Sequence, residues 1–376
     1  MTEPIATARP RGLVLRGQVW AGGDAPVLPD GVVVVDSAGA VARLGQATEV
    51  EVPPDLPVYG GTRHWVGPGL VDAHVHLAFG DPQLALAGGV VAVRDLGAPL
   101  VDAVRWRAAS ESVGHPVVAV AGPLLTAPGG YPSRSWGAAG FARFVADPAA
   151  ARAAVAELAR GSAAGSVDVV KVALEPAGGQ PVPSADTAAA VVRAAHEHGL
   201  AVTAHALSAA MVTRALAAGV DELCHVPTER LPGPLVKRVA AAGVTVVSTL
   251  HTHAGAGSAT SAAAAPVLTN AAALHSAGVP LRYGTDLGNA GTRPGAEPRE
   301  LALLAQAGVG PLGALRAATD GAAAAAGLRG RVSGRLEVGR PAYAVVLPGD
   351  PVRQPEHWRR PVAVVTPAGV VSPSPG

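Results

Sequence analysis

Between about His64 and Arg329 the chain alternates short apolar segments with alanine-rich ones, and this alternation restricts the fold more than any other feature. Eight segments have strand character: Gly69 to His74, Val90 to Arg94, Val117 to Ala121, Val167 to Val172, Ala201 to His205, Val220 to His225, Val244 to Thr249 and Pro280 to Gly284. Helical stretches lie between them, among them Pro148 to Ala163, Ser184 to Gly199, Ser208 to Gly219, Pro232 to Gly243 and Pro311 to Gly327. Several open on Ser or Pro and several close on Gly, as helix ends prefer. The tripeptides Ala218-Gly219-Val220, Ala242-Gly243-Val244 and Ala277-Gly278-Val279 repeat one helix-to-strand turn. Eight strands with helical connections predict an α/β fold, a (β/α)8 TIM barrel.

The two ends of the chain have a different texture. Leu13-Val14-Leu15, Val32 to Val35 and Val41 to Leu44 are short β-branched or alternating runs separated by Gly, Asp and Pro, and similar runs return in Ala344 to Leu347 and Val362 to Val365. Residues 1–63 and 330–376 are therefore expected to form one discontinuous β-sandwich domain around a barrel domain of residues 64–329. The Ala/Gly/Ser-rich stretch from His253 to Ala265, after the seventh strand, is the most loop-like segment.

Aromatic residues make up 3% of the chain, so the core must be built from Ala, Val and Leu. A formal net charge of +1 without basic clusters offers no field for nucleic acid or an anionic membrane, leaving a small molecule as the expected partner. Met1-Thr2-Glu3-Pro4 lacks the start of a signal peptide, and no apolar run reaches membrane-spanning length. One cysteine, Cys224, excludes an internal disulfide and suits a reducing, cytoplasmic setting. Cys224 reads as a small buried hydrophobe. A homo-oligomer, a dimer in the first instance, is a fair expectation for such a chain.

In a barrel of this kind the site lies at the C-terminal ends of the strands. The first strand finishes Asp72-Ala73-His74-Val75-His76, and the period of two puts both imidazoles on one side. The fourth ends at Lys171, the fifth at His205, the sixth at His225 and the eighth at Thr285-Asp286. Six ionisable groups from five strand ends thus converge on one mouth. Only two lysines stand against 27 arginines in the chain, and one of them is Lys171 in an apolar run. A lysine shielded from water is pushed toward its neutral, nucleophilic form and can add CO2 to become a carbamate able to bridge two metal ions. Alone, a lysine at a strand end more often snorkels to water, and an H-x-H pair is more often structural. Together, buried charges of this number call for a compensating cation.

Pro68 to His76, Gly89 to Gly97, Val169 to Val172, Val202 to Ala206, Asp221 to His225 and Gly284 to Asp286 resemble the amidohydrolase superfamily, in particular its imidazolonepropionase-like and prolidase-like branch. Ala314 to Thr319 and Gly334 to Ala342 extend the resemblance over nearly the whole chain. It implies a binuclear hydrolase of an amide, lactam or related C–N bond. His74, His76 and Asp286 would hold one divalent ion, His205 and His225 a second, and carboxylated Lys171 would bridge them together with a hydroxide. Asp286 would serve as general base and then acid. Zinc is the default metal, with manganese, iron or cobalt suited to the same ligands.

The chain also departs from that pattern. Tyr131 stands where relatives commonly have histidine, and a phenol there can donate to a carbonyl. His251 is a candidate substrate contact, whereas His253 reads as part of a solvated loop. Arg94 and Asp95 read as a structural ion pair, and His196 and His198 as surface residues. A second reading is a mononuclear deaminase or cyclic-amide hydrolase; aminohydrolases commonly place a glutamate where this chain has Ser208. A third is a non-catalytic ligand-binding protein on the same scaffold.

Overall fold

A computed structural model of the chain describes residues 6–8, 12–110, 112–161, 165–254, 264–328 and 330–372. Met1-Thr2-Glu3-Pro4 and most of the stretch after the seventh strand, residues 255–263, lie outside them.

Every predicted barrel position carries a strand: Leu70–Val75, Val90–Asp95, Val117–Val120, Val169–Ala173, Ala201–His205, Glu222–Leu223, Thr245–Val247 and Leu281–Arg282, first to eighth. They are distributed over two parallel sheets. The first three strands form one; the other five form the second, together with Leu124–Thr126 and Ala142–Phe144. Asp168 N donates to Val120 O at 2.8 Å where the third strand meets the fourth. On the opposite side Ala73 N donates to Tyr283 O at 3.2 Å and Asp286 N to His74 O at 2.8 Å, joining the eighth strand to the first. The succession is consistent with the expected barrel, and its core is the predicted mixture of alanine, valine and leucine.

The helices follow their end signals. Asp147 accepts from Ala150 N ahead of Pro148–Arg160, and Ser184 accepts from Thr187 N ahead of Ala185–Glu197. Gly219, Gly243 and Gly278, from the repeated turn, all have positive φ, between 69° and 85°. The stretch predicted over Pro311 to Gly327 is two helices, Pro311–Ala318 and Asp320–Ala325, broken at Thr319. The chain's return segment crosses there so closely that a Cβ on Gly334 would lie 2.3 Å from Asp320 N. No single helix among the described residues is long and apolar enough to cross a membrane.

The two chain ends share one sheet. Leu13–Trp20 pairs antiparallel with Val27–Val35 and parallel with Val58–Pro68, which pairs antiparallel with Ala344–Leu347. Alternate residues serve opposite faces: Leu13, Leu15, Val33 and Val35 pack with Val346 and Val365, whereas Val14, Val32 and Val34 meet Val50, Val52 and Leu56. The arrangement is sandwich-like in having a core on each face, but hydrogen bonding makes it a single eight-stranded sheet. Only Gly69 separates the strand Val58–Pro68 from the first parallel strand. A Cβ there would meet Val91 Cγ1 at 2.3 Å, so glycine is required for the sheet to feed directly into the core.

Candidate metal centre

All six strand-end residues singled out above, His74, His76, Lys171, His205, His225 and Asp286, line one cavity of about 310 Å³. His74 and His76 leave the first strand on one side, with ring centroids 5.3 Å apart. Gly284 makes room for them from the eighth strand, since a Cβ there would lie 3.1 Å from His74 Cβ and 2.4 Å from Val247 Cγ1. The His225 ring lies 4.7 Å from that of His74 and 4.8 Å from that of His205. Lys171 was expected to end the fourth strand. It lies instead in the middle of Val169–Ala173, is 1% exposed, and donates from Nζ to Cys224 Sγ at 2.6 Å. Cys224 also packs with Leu96, Ala121 and Val169, in keeping with a small buried hydrophobe.

Asp286 is the hub. Its Oδ1 lies 3.2 Å from His74 Nε2 and 3.3 Å from His76 Nε2, and its Oδ2 lies 4.0 Å from His225 Nδ1. Its φ of 56° is left-handed, a conformation that a non-glycine residue adopts at a local cost. The neighbouring Asp72 supports the turn by accepting from Thr285 N at 3.0 Å, Thr285 Oγ1 at 2.5 Å and His74 N at 3.1 Å.

The donor set suits cations. Burial drives the imidazoles of His74 and His225 well below their ordinary pKa and that of His205 down to about 3, with the Lys171 charge acting in the same direction on all three. Neutral imidazole is the metal-binding form. His74 Nδ1 lies 2.9 Å from the carbonyl of Cys224, so Nδ1 carries the proton and Nε2 presents a bare lone pair to Asp286 Oδ1. A lone pair facing a buried carboxylate oxygen is unfavourable unless a cation lies between them. Among the described residues, three sets have ligand atoms mutually within 4.8 Å: His74, His76 and Asp286; His225, His253 and Asp286; and His74, Cys224 and His225.

His253, expected in a solvated loop, faces the cavity, and His251, expected to touch substrate, is buried away from it. They belong to a short helix, Leu250–His253, that follows Thr249 at φ 44°. Two residues along a helix turn the side chain by about 200°, so the pair cannot share a face as it would on a strand. His253 lines the cavity with Nε2 3.1 Å from His225 Nδ1, whereas His251 is not among the lining residues and has Nε2 3.3 Å from Gly291 O. Arg94 and Asp95 do not pair either, because adjacent strand residues face opposite ways. Arg94 Nη2 meets Glu222 Oε1 at 2.5 Å, and Asp95 accepts from Leu77 N at 2.7 Å and Gly97 N at 3.2 Å. His196 is exposed and contacts Asp221 at 3.0 Å, and His198 is exposed.

Tyr131 lines the cavity and stacks on His205 with centroids 4.9 Å apart. Its hydroxyl accepts from Trp136 Nε1 at 3.1 Å, and burial pushes the phenol up to about 12, so it keeps a proton to donate. Sequence reasoning did not single out Phe79, Glu175 or Asn289, which also line the cavity. Each lies in a connection after a strand, and only the chain's path brings it back to the mouth.

Residues 65–373 match the amidohydrolase family. A comparison with curated proteins finds no match. Among solved structures, a Xaa-Pro dipeptidase with methionine bound in its active site is 19% identical with a TM-score of 0.83, over 96% of this chain and 100% of that one. The ochratoxinase of A. niger is 19% identical with a TM-score of 0.80, over 97% of each chain. Molinate hydrolase is 20% identical with a TM-score of 0.77, over 97% of this chain and 95% of that one. At these identities the likeness concerns the fold.

Proposed function

The chain belongs to the amidohydrolase family, and from that premise we propose that it is a binuclear metal-dependent hydrolase of an amide, lactam or related C–N bond in a small molecule. In this reading residues 64–329 are the (β/α)8 barrel that carries the site, and residues 1–63 and 330–376 form the accessory sheet domain. The observation that carries it is the convergence of buried imidazoles on the Asp286 carboxylate, with Lys171 in the same cavity.

His74, His76 and Asp286 would hold one divalent ion and His205 and His225 the other, with carboxylated Lys171 shared between them. Zinc suits these ligands, as do manganese, iron and cobalt. Bound there, the ions would supply a Lewis acid and lower the pKa of water. Asp286 accepts the proton of the attacking water on its carboxylate and returns it to the leaving nitrogen, as base and then acid. Its left-handed backbone and the Asp72–Thr285 bonds fix the direction of that carboxylate. Tyr131 donates its hydroxyl proton to the substrate carbonyl oxygen as negative charge develops there. His253 positions His225 through their contact at 3.1 Å.

The test is a screen of metal-loaded protein against three classes of compound: N-acyl amino acids and dipeptides, lactams, and aryl acetamides carrying an ammonium group. Hydrolysis of at least one class, abolished by a chelator and restored by added divalent metal, is the expected result. Turnover indifferent to chelation, or none across all three classes, would refute the reading.

A further inference from the structure

The cavity wall outside the ligand set has a chemistry of its own. Aromatic residues are 3% of the chain, yet Phe79, Tyr131 and Trp136 all line this cavity. Trp136 lies edge-on to Phe79 and Tyr131 at 6.1 and 6.2 Å between centroids, so the three form one continuous wall. Glu175 joins them two residues beyond the end of the fourth strand, on the mouth side of Lys171. Its Oε2 accepts from Leu207 N at 2.8 Å, Ser208 N at 3.0 Å and Ser208 Oγ at 3.2 Å. Three donors on one oxygen hold the carboxylate in place, and no described residue donates to Oε1. Among the described lining residues there is no arginine, and the one lysine is Lys171.

A carboxylate held in place in a cavity that also presents aromatic rings, with no arginine and no lysine other than Lys171 in the lining, suits the recognition of an ammonium group. A substrate carboxylate placed against Glu175 would meet like charge. We propose that Glu175 and the Phe79–Tyr131–Trp136 wall form an ammonium subsite, so that the preferred substrates are small C–N compounds carrying a positive charge and no free carboxylate near the scissile bond. The inference rests on the reading of this cavity as the substrate site.

Two matched probes test it, 4-acetamidobenzylamine and 4-acetamidophenylacetate, which share an aryl acetamide and differ in the sign of the terminal charge. Their dissociation constants are measured by titration calorimetry on the metal-loaded full chain at low ionic strength. The ammonium probe is expected to bind about tenfold tighter or more. Glu175→Gln should remove most of that preference while leaving the anionic probe's affinity unchanged or improved. Because Glu175 also holds the Leu207–Ser208 backbone, a thermal melt accompanies that variant. Trp136→Ala, which leaves those bonds intact, should weaken the ammonium probe more than the anionic one. Equal or reversed affinities, no binding of the ammonium probe at millimolar concentration, or equal losses for both probes in both variants would overturn the subsite. Acetate release in the same samples separates the two claims. An ammonium preference without chelator-sensitive turnover supports the subsite and counts against the hydrolase, whereas turnover without that preference does the reverse.

Discussion

Lys171 is buried at 1% exposure with its nearest polar partner a thiol, and it makes no ion pair with a carboxylate among the described residues. An unpaired buried ammonium costs several kcal/mol, and conversion to a carbamate exchanges it for an anion that cations can neutralise. Lys171→Arg keeps the positive charge and loses the amine, so it should lower bound metal and turnover together; full retention of metal in that variant would show that charge alone is what the position supplies. Asp286→Asn should lower kcat by about 10²–10⁴ in steady-state kinetics, the usual worth of a positioned base. A smaller change than tenfold would remove Asp286 from proton transfer. Glu300 makes a prediction about pH. Burial pushes its carboxyl from about 4.5 up to about 7 while it accepts from Leu250 N at 3.0 Å and His251 N at 2.6 Å. A raised carboxyl pKa favours the fold below about 4.5, and that contribution is lost as pH rises through about 7. Thermal melts of Glu300→Gln against the parent should therefore shift in the variant's favour between those pH values, and a constant difference would contradict the assignment.

The parallel strands and their glycine turns were legible because short apolar runs and Ala-Gly-Val tripeptides are local signals. So were His74, His76, Lys171, His205, His225 and Asp286, since strand ends converge wherever such strands lie parallel. What the sequence hid was set by tertiary contact. The break at Thr319 lies where the return segment crosses at Gly334, and the place of His253 depends on a helix that begins only after a left-handed Thr249. Arg94 finds Glu222 across 128 residues of sequence, and its Nε and Nη1 reach Ala73 O at 2.8 Å and Ala325 O at 2.7 Å. That arginine ties the first, second and sixth strands to the helix Asp320–Ala325. Arg94→Met would leave Glu222 charged and buried, and denaturant unfolding should register a loss of about 3–5 kcal/mol. Adding Glu222→Gln should recover part of the loss; a neutral single variant would show that the pair is dispensable.

At the scale of the whole molecule, the outer sheet and the parallel strands are continuous through Gly69, and Trp20, Trp65 and Leu347 of the sheet belong to the same buried cluster as the parallel strands. Such a junction couples the two units, so calorimetry should show one unfolding transition, raised by added metal through preferential binding to the folded chain. Two transitions, with only one sensitive to metal, would mean that the units fold separately. The same architecture brings six candidate ligands from five strand ends to the lining of one cavity, and metal content is the most direct measure of whether they act together. Elemental analysis of protein purified without chelator should find two divalent ions per chain and the loss of both in Lys171→Ala. One ion that survives that substitution, or none in the parent protein, would contradict a shared bridge at Lys171.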